Sequence, residues 1–360
     1  MLLAPRLFPV RIAQVAPLYE SVPPSLYGGT ERVVSNLVEE LVRQGHDVTL
    51  FASGDSHTTA RLIPCCPSAL RSNTCCHDSL ALHIVMLDEV FRRAPDFDLI
   101  HFHIDYLHFP ISSRLHVPNL TTLHGRLDLP ELPIVYRQFP DLPLVSISDA
   151  QRKPIPNANW MATVYHGLPE NMFSLREKPG GYLAFLGRIS PEKGVDRAID
   201  VAKRVGLPLR IAAKVDKVDR EYFESSIKPL LDHPLIEFIG EISDREKQDF
   251  LGNAAALLFL IDWPEPFGLV MIEAMACGTP VIALRRGSVP EVLADGVSGF
   301  VVDSVEEAAR ALERLPSLSR AACRQAFEKR FTVSRMAHDY VNLYAELQGR
   351  EAPVLSGRLQ

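Results

Sequence analysis

Two carboxylates stand at either end of the run Glu265-Pro266-Phe267-Gly268-Leu269-Val270-Met271-Ile272-Glu273, which continues as Ala274-Met275-Ala276-Cys277-Gly278-Thr279-Pro280. The run reads as a turn that opens a helix. Gly268 lets the backbone approach a ligand closely, and the free N–H groups of a helix start, at the positive end of its dipole, suit a phosphate. Glu265 precedes the helix, where an acceptor-only carboxylate can take hydrogen bonds from hydroxyls, and Glu273 lies within the early turns. Together they could hold two sugar rings. Solvated acids near a helix start fit the same spacing, because the dipole favours them with no ligand present. A second run, Gly187-Arg188-Ile189-Ser190-Pro191-Glu192-Lys193-Gly194, supplies a planar guanidinium fork and a mobile ammonium, the usual way to clamp a diphosphate from two sides. Pro191 and Glu192 also read as an ordinary helix start, and the two cations as surface charge.

Three further constellations carry less. Gly28-Gly29 sits in a loop after the first strand, where a backbone must come close to something, or where a plain turn caps a helix. It does not match GxGxxG, which disfavours a nicotinamide or flavin dinucleotide. His124-Gly125 ends an expected strand at Leu120–Leu123, so the imidazole should point into a cleft between domains, although a lone histidine is more often structural. His101-Phe102-His103-Ile104-Asp105 would put two imidazoles and a carboxylate on one strand face, like the HxHxDH ligand run of metallo-β-lactamase-type hydrolases. The sixth position is Tyr106 and no later ligand set follows, so a zinc or dinuclear site is short of ligands. His101 packed on a neighbouring helix is the simpler reading.

Holding these side chains takes more than one core. The 360 residues suggest two domains, and 47% hydrophobic with 23% charged residues is a soluble, globular balance. Thirty-eight basic against 44 acidic residues give a net charge of −6, so no global basic field is present for nucleic acid. No apolar run reaches the roughly 18 residues of a membrane helix. The opening MLLAPRLFPV is too short and too broken by Pro5 and Pro9 for a secretory segment, which gives a cytoplasmic expectation. Cys65-Cys66 and Cys75-Cys76 lie in a polar stretch, Cys277 and Cys323 are isolated, and none forms CxxC; reduced structural thiols are expected.

Strand-like and helical runs alternate, which implies parallel sheets with crossover helices. In the first half strands fit at Arg11–Ala16, His46–Ala52, Leu99–Phe102, Leu120–Leu123, Pro143–Ile147 and Met161–Tyr165, with a helix ending at Gly45. A second cycle runs through Tyr182–Leu186, Leu209–Ala212, Ile236–Ile239, Ala254–Leu260 and Pro280–Ala283, with a helix near Val195–Val205. Leu168–Gly180 reads as a polar linker between two α/β domains, and Val333, Met336, Ala337, Tyr340, Val341 and Tyr344 mark one last amphipathic helix.

From Arg11 to about Tyr344 the chain resembles the GT-B glycosyltransferases, specifically the retaining family 4 (glycosyl transferases group 1). Glu265–Pro280 is similar to the family's E-x7-E block and Gly187–Gly194 to its G-R-x-x-x-x-K-G block. Gly28-Gly29-Thr30-Glu31-Arg32, His124-Gly125, Ser146-Ile147-Ser148-Asp149, Tyr165-His166-Gly167 and Asp295-Gly296 with Gly299 match in order. The resemblance implies an α/β fold of two Rossmann-like domains facing each other across a deep cleft. Residues 1–170 would form the acceptor side, 171–332 the nucleotide-sugar domain, 333–348 a helix crossing back to the first domain, and 349–360 a tail. It also implies a UDP-, GDP- or ADP-sugar donor bound as a substrate, an unidentified hydroxyl acceptor, no cofactor, no metal and no nucleic acid. Peripheral contact with a membrane is compatible with it.

By the same resemblance Arg188 and Lys193 would bind the donor diphosphate and Glu273 the ribose hydroxyls. Glu265 with the backbone of Phe267, Gly268 and Leu269 would hold the sugar, Gly28 and Gly29 would contribute to donor binding, and His124 would lie beside the transferred sugar. The catalytic set is then His124, Glu265, Arg188 and Lys193. A GT-B isomerase of the 2-epimerase type, a non-catalytic nucleotide-sugar binder and the metallohydrolase are the alternatives. Ala212-Ala213-Lys214 and Ile261-Asp262-Trp263-Pro264 depart from the family pattern near where the base and sugar should sit.

Overall fold

The computed structural model describes residues 9–71, 73 and 75–349. Most of the opening run and all of the expected tail except Gly349 lie outside the described residues. Contacts divide the chain into two units. The first comprises the chain up to Ile147, Arg152–Gly167 and the chain from Val333 onward; the second comprises Ser148–Gln151 and Leu168–Thr332.

The first unit is built on strands β1 (Arg11–Val15), β2 (Asp47–Ser53), β3 (Arg61–Cys66), β4 (Leu99–Phe102), β5 (Asn119–Thr122), β6 (Leu144–Ser146) and β7 (Trp160–Thr163). They form one parallel sheet in the order β3-β2-β1-β4-β5-β6-β7. A parallel sheet covered on both faces buries its central strands entirely, and β4 and β5 are buried at every position. The Gly29–Arg43 helix presents Val33, Val34, Leu37, Val38 and Leu41 to this core. Gly45 follows it at φ +90°, and its N–H closes the helix on the Val42 carbonyl. The Val333–Leu347 helix belongs to this unit and buries Tyr340 and Tyr344.

The second unit carries β8 (Tyr182–Arg188), β9 (Leu209–Lys214), β10 (Ile236–Gly240), β11 (Ala254–Phe259), β12 (Val281–Leu284) and β13 (Gly299–Val302), parallel in the order β10-β9-β8-β11-β12-β13. In both sheets the order reverses beside the unit's first strand: β1 lies against β4, and β8 against β11. Such a reversal leaves a crevice at the carboxyl ends of the two central strands, where doubly wound sheets bind ligands.

Several elements differ from expectation. β3 is a strand although Pro64 interrupts it; it lies at the sheet edge, where a missing N–H costs no ladder bond. The Ser79–Arg92 helix starts on Asp78, whose carboxylate accepts from the N–H groups of Leu80 and Ala81. The segment 168–180 packs along the second unit instead of hanging free. Leu168 and Phe173 are buried, and the Arg324 guanidinium donates to the carbonyls of Glu170 and Phe173.

Candidate active site

The second unit's site is assembled from the loops after β8 and β11. After β8 the chain makes one turn at Pro191–Lys193 and bends at Gly194, φ +69°, where a Cβ would sit 2.1 Å from the Leu260 carbonyl oxygen. Only glycine permits that approach, so it fixes the Lys193 loop against the end of β11. The Asp262 N–H donates to the Glu192 carbonyl across the same gap, at 2.8 Å. In consequence Lys193 Nζ meets Glu265 Oε2 at 2.5 Å, although the two residues are 72 positions apart. The Trp263 indole N–H donates to the same oxygen at 2.9 Å, and its ring lies 4.8 Å from the ammonium. Only 17% of the Lys193 side chain and 12% of the Glu265 side chain are exposed. The Glu265 loop is itself held by Gly287 at φ +49°, where a Cβ would fall 2.3 Å from the Glu265 carbonyl oxygen.

Arg188 stands in a different environment. Its guanidinium pairs with Glu192 at 2.7 Å and lies 3.6 Å from Asp219 and 3.8 Å from Asp216. Burial pushes the Asp219 carboxyl up; Arg188 opposes this, while Glu192 and Asp216 add to it. Burial also works against the Glu192 carboxylate, but hydrogen bonds from its own backbone N–H and the charge of Arg188 outweigh it, and its pKa lies below the ordinary value.

Phe267 is buried against Phe331, ring centroids 6.0 Å apart, so its side chain is core and only its backbone can serve a ligand. Gly268, φ +80°, caps the Leu269–Ala276 helix, whose first turn leaves N–H groups without an intrahelical acceptor. Glu273 sits in the second turn of that helix, buried, and accepts from Lys247 Nζ at 2.8 Å. Lys247 projects from the Asp244–Gly252 helix, which is started by a Ser243–Glu246 capping box. Burial disfavours the Lys247 ammonium, yet Glu273 and Asp244 raise its pKa above the usual lysine value. Lys247 and Gly287 were not legible as site residues, and the indole contact of Trp263 was not legible either. Only their folded partners identify them.

The other expected site residues belong to the first unit. Gly28 has an extended backbone, and a Cβ there would meet the Pro24 side chain at 2.7 Å; Gly29 opens the following helix. His124 lies just beyond β5 with Nε2 at 2.9 Å from His103 Nδ1, and its ring stacks on His166 at 5.3 Å. Burial lowers its pKa to about 3. The metallohydrolase alternative fails on these contacts. Both nitrogens of His101 are taken, by Tyr344 and Thr122, and both of His103, by His124 and Gln14. Asp105 departs into an exposed left-handed turn at φ +52°. Among the described residues no group of three metal-ligating side chains is arranged for an ion.

The profile of glycosyl transferases group 1 matches residues 169–330, and that of glycosyltransferase family 4 matches residues 27–166. The chain belongs to this glycosyltransferase family. It is 26% identical to a D-inositol 3-phosphate glycosyltransferase of Mycolicibacterium smegmatis, over 90% of this chain and 88% of that one. Its fold is similar to AviGT4, a glycosyltransferase involved in avilamycin A biosynthesis, with a TM-score of 0.73 and 23% identity over 95% of this chain and 98% of that one. It is also similar to HepE of Anabaena, solved with UDP-glucose, with a TM-score of 0.69 and 18% identity over 93% and 99% of the two chains. The fold of this glycosyltransferase is GT-B. No helix among its described residues is long and apolar enough to cross a membrane.

Proposed function

We propose that this glycosyltransferase moves a sugar from a nucleotide-diphosphate sugar to a hydroxyl acceptor, with retention at the anomeric carbon and without a metal ion. The observation that carries this reading is the Lys193–Glu265 pair beside the start of the Leu269–Ala276 helix, at the reversal point of the second sheet. A cation, a hydroxyl-accepting carboxylate and helix N–H groups are what a diphosphate and its sugar need. HepE, solved with UDP-glucose, supports the donor class.

In this reading negative charge grows on the diphosphate as the anomeric bond breaks, and Lys193, Arg188 and the helix N–H groups stabilise it. Glu265 holds hydroxyls of a sugar that becomes oxocarbenium-like. Glu273, oriented by Lys247, takes the ribose hydroxyls. His124 accepts from a hydroxyl of the transferred sugar. The departing phosphate takes the acceptor's proton, so no protein base is required. A cytoplasmic setting suits six cysteines that are all free.

Donor hydrolysis across UDP-, GDP- and ADP-sugars, in EDTA, tests the reading. One nucleotide series should be hydrolysed in the chelator, and NMR of the first-formed product should show the donor's own anomeric configuration. An inverted product refutes retention. Turnover that vanishes in EDTA and returns with Mn²⁺ refutes metal independence.

A further inference from the structure

Beneath His124 the first unit contains a continuous chain of polar side chains, all buried. Gln14 Nε2 donates to Tyr344 Oη at 3.1 Å. That hydroxyl has one hydrogen, and its other contact is His101 Nδ1 at 2.8 Å, so Tyr344 donates there. His101 is neutral, its pKa driven far down by burial, and it therefore donates from Nε2 to Thr122 Oγ1 at 2.7 Å. Thr122 in turn meets Tyr340 Oη at 2.9 Å.

The other arm begins at the same amide. Gln14 Oε1 can only accept, so His103 donates to it from Nε2 at 2.8 Å. His103 is also neutral, which leaves its Nδ1 bare to accept from His124 Nε2–H at 2.9 Å. His124 Nδ1 is then a bare lone pair. That atom is buried and has no hydrogen-bond partner among the described residues. A buried acceptor without a donor is rare, and it asks for a ligand.

We infer that Gln14, His103 and Tyr344 are positioning residues for glycosyl transfer: their directed hydrogen-bond chain holds His124 as the Nε2–H tautomer and keeps Nδ1 open to accept from a sugar hydroxyl. The direction is that of the Gln14 amide, whose NH2 faces Tyr344 and whose carbonyl oxygen faces His103. Reversing that amide would reverse every bond in the chain and put a hydrogen on Nδ1, where a hydroxyl could be met only through its oxygen. The Val333–Leu347 helix thus reaches His124 through three side chains that need touch no substrate. The tautomer follows from the orientation of the Gln14 amide and the contacts of the two neutral histidines; its use in transfer rests on the reading of His124 given above.

The test is NMR of [15N]histidine-labelled full-length protein, which reads each ring's tautomer directly, on the wild type, Tyr344→Phe and Tyr340→Phe. Both substitutions keep the ring and delete one hydroxyl from the same helix. Tyr340 is the end of the chain, so Tyr340→Phe should leave His124 as a single Nε2–H tautomer. Tyr344→Phe should release Gln14 and give a mixture. Tyr344→Phe should also lower kcat by about tenfold through lost orientation, with affinity for the bare nucleotide diphosphate unchanged, and Tyr340→Phe should not. His103→Phe, which cuts the chain beside His124, should reproduce the mixture if Tyr344→Phe does not fold. A wild-type His124 protonated on Nδ1, or equal effects of the two tyrosine variants, overturns the relay. A mixed tautomer with unchanged kcat keeps the relay and overturns its role in transfer.

Discussion

Replacing Glu265 by Gln should tighten binding of the free nucleotide diphosphate while it slows transfer. Glu265 Oε2 lies 2.5 Å from Lys193 Nζ, in a setting where both side chains are more than four-fifths buried. A hydrogen bond between charged groups in such a place contributes about 1.5–3 kcal/mol. On the proposed reading an incoming diphosphate would share Lys193 with that carboxylate, so part of this energy would be forfeited on binding. Forfeiting about 1 kcal/mol corresponds to roughly fivefold in affinity, and forfeiting the whole would give more than tenfold. Gln keeps an oxygen for the Trp263 indole N–H and removes only the charge. Calorimetry with the bare nucleotide diphosphate should therefore show Glu265→Gln binding about fivefold more tightly than wild type. Turnover should fall by roughly a hundredfold, the worth of one charged hydrogen bond of about 3 kcal/mol to the transferred sugar. The double variant Glu265→Gln/Lys193→Met should lose the gain, because the gain acts through Lys193. Weaker nucleotide binding by Glu265→Gln would place this carboxylate on the nucleotide; unchanged turnover would remove it from the reaction.

The buried histidines make stability pH-dependent. Burial lowers the pKa of both His108 and His124 to about 3; the unfolded value is about 6.5, so their contribution is complete above pH ~6.5 and is lost as pH falls toward 3. Between pH 7 and pH 5 the loss should be about 2 kcal/mol for each, seen as a lower urea midpoint, and an unchanged midpoint would mean the rings are solvated. Gly287→Ala should cost about 2 kcal/mol or more and depress turnover, because a Cβ would strike the Glu265 backbone. Gly296→Ala is the control: φ is +73° with nothing within 4 Å, so it should cost about 1 kcal/mol and leave turnover intact. Equal losses of activity would deny Gly287 its part in holding Glu265.

What could be read from the chain was whatever is local. The runs Glu265–Pro280 and Gly187–Gly194 carry their helix start, glycines and charges in sequence, and the central strands are apolar because both faces of each sheet are covered. β3 stayed hidden because an edge strand with Pro64 needs no alternation, and β13 because it begins with Gly299. The fold requires that glycine, since a Cβ there would sit 1.9 Å from the Val281 carbonyl oxygen. Partnerships were the other gap. Nothing near Glu273 announces Lys247, and nothing near Gln14 announces Tyr344, 330 residues away. Long-range pairing is decided by topology, and a single sequence shows only what each residue could do.

Those partnerships change how the charged residues should be understood. A buried lone charge is costly, so the fold stores each one beside its opposite: Lys193 with Glu265, Lys247 with Glu273, Arg188 with Glu192 and two aspartates. On the proposed reading a donor diphosphate would bind by exchange, taking cations from carboxylates that are already in place. The arrangement keeps the cations fixed before the ligand arrives, which is what stabilising a leaving group requires. It also means that removing one partner does two things at once. Lys193→Ala would delete the proposed phosphate partner and strand Glu265 in a largely buried position, at a cost of roughly 3–5 kcal/mol in stability that has nothing to do with catalysis. A drop in activity from that variant alone therefore cannot assign a role. The charge-neutral pair Lys193→Met/Glu265→Gln removes the stranded charge, and the difference between it and each single variant isolates what Lys193 does for the diphosphate.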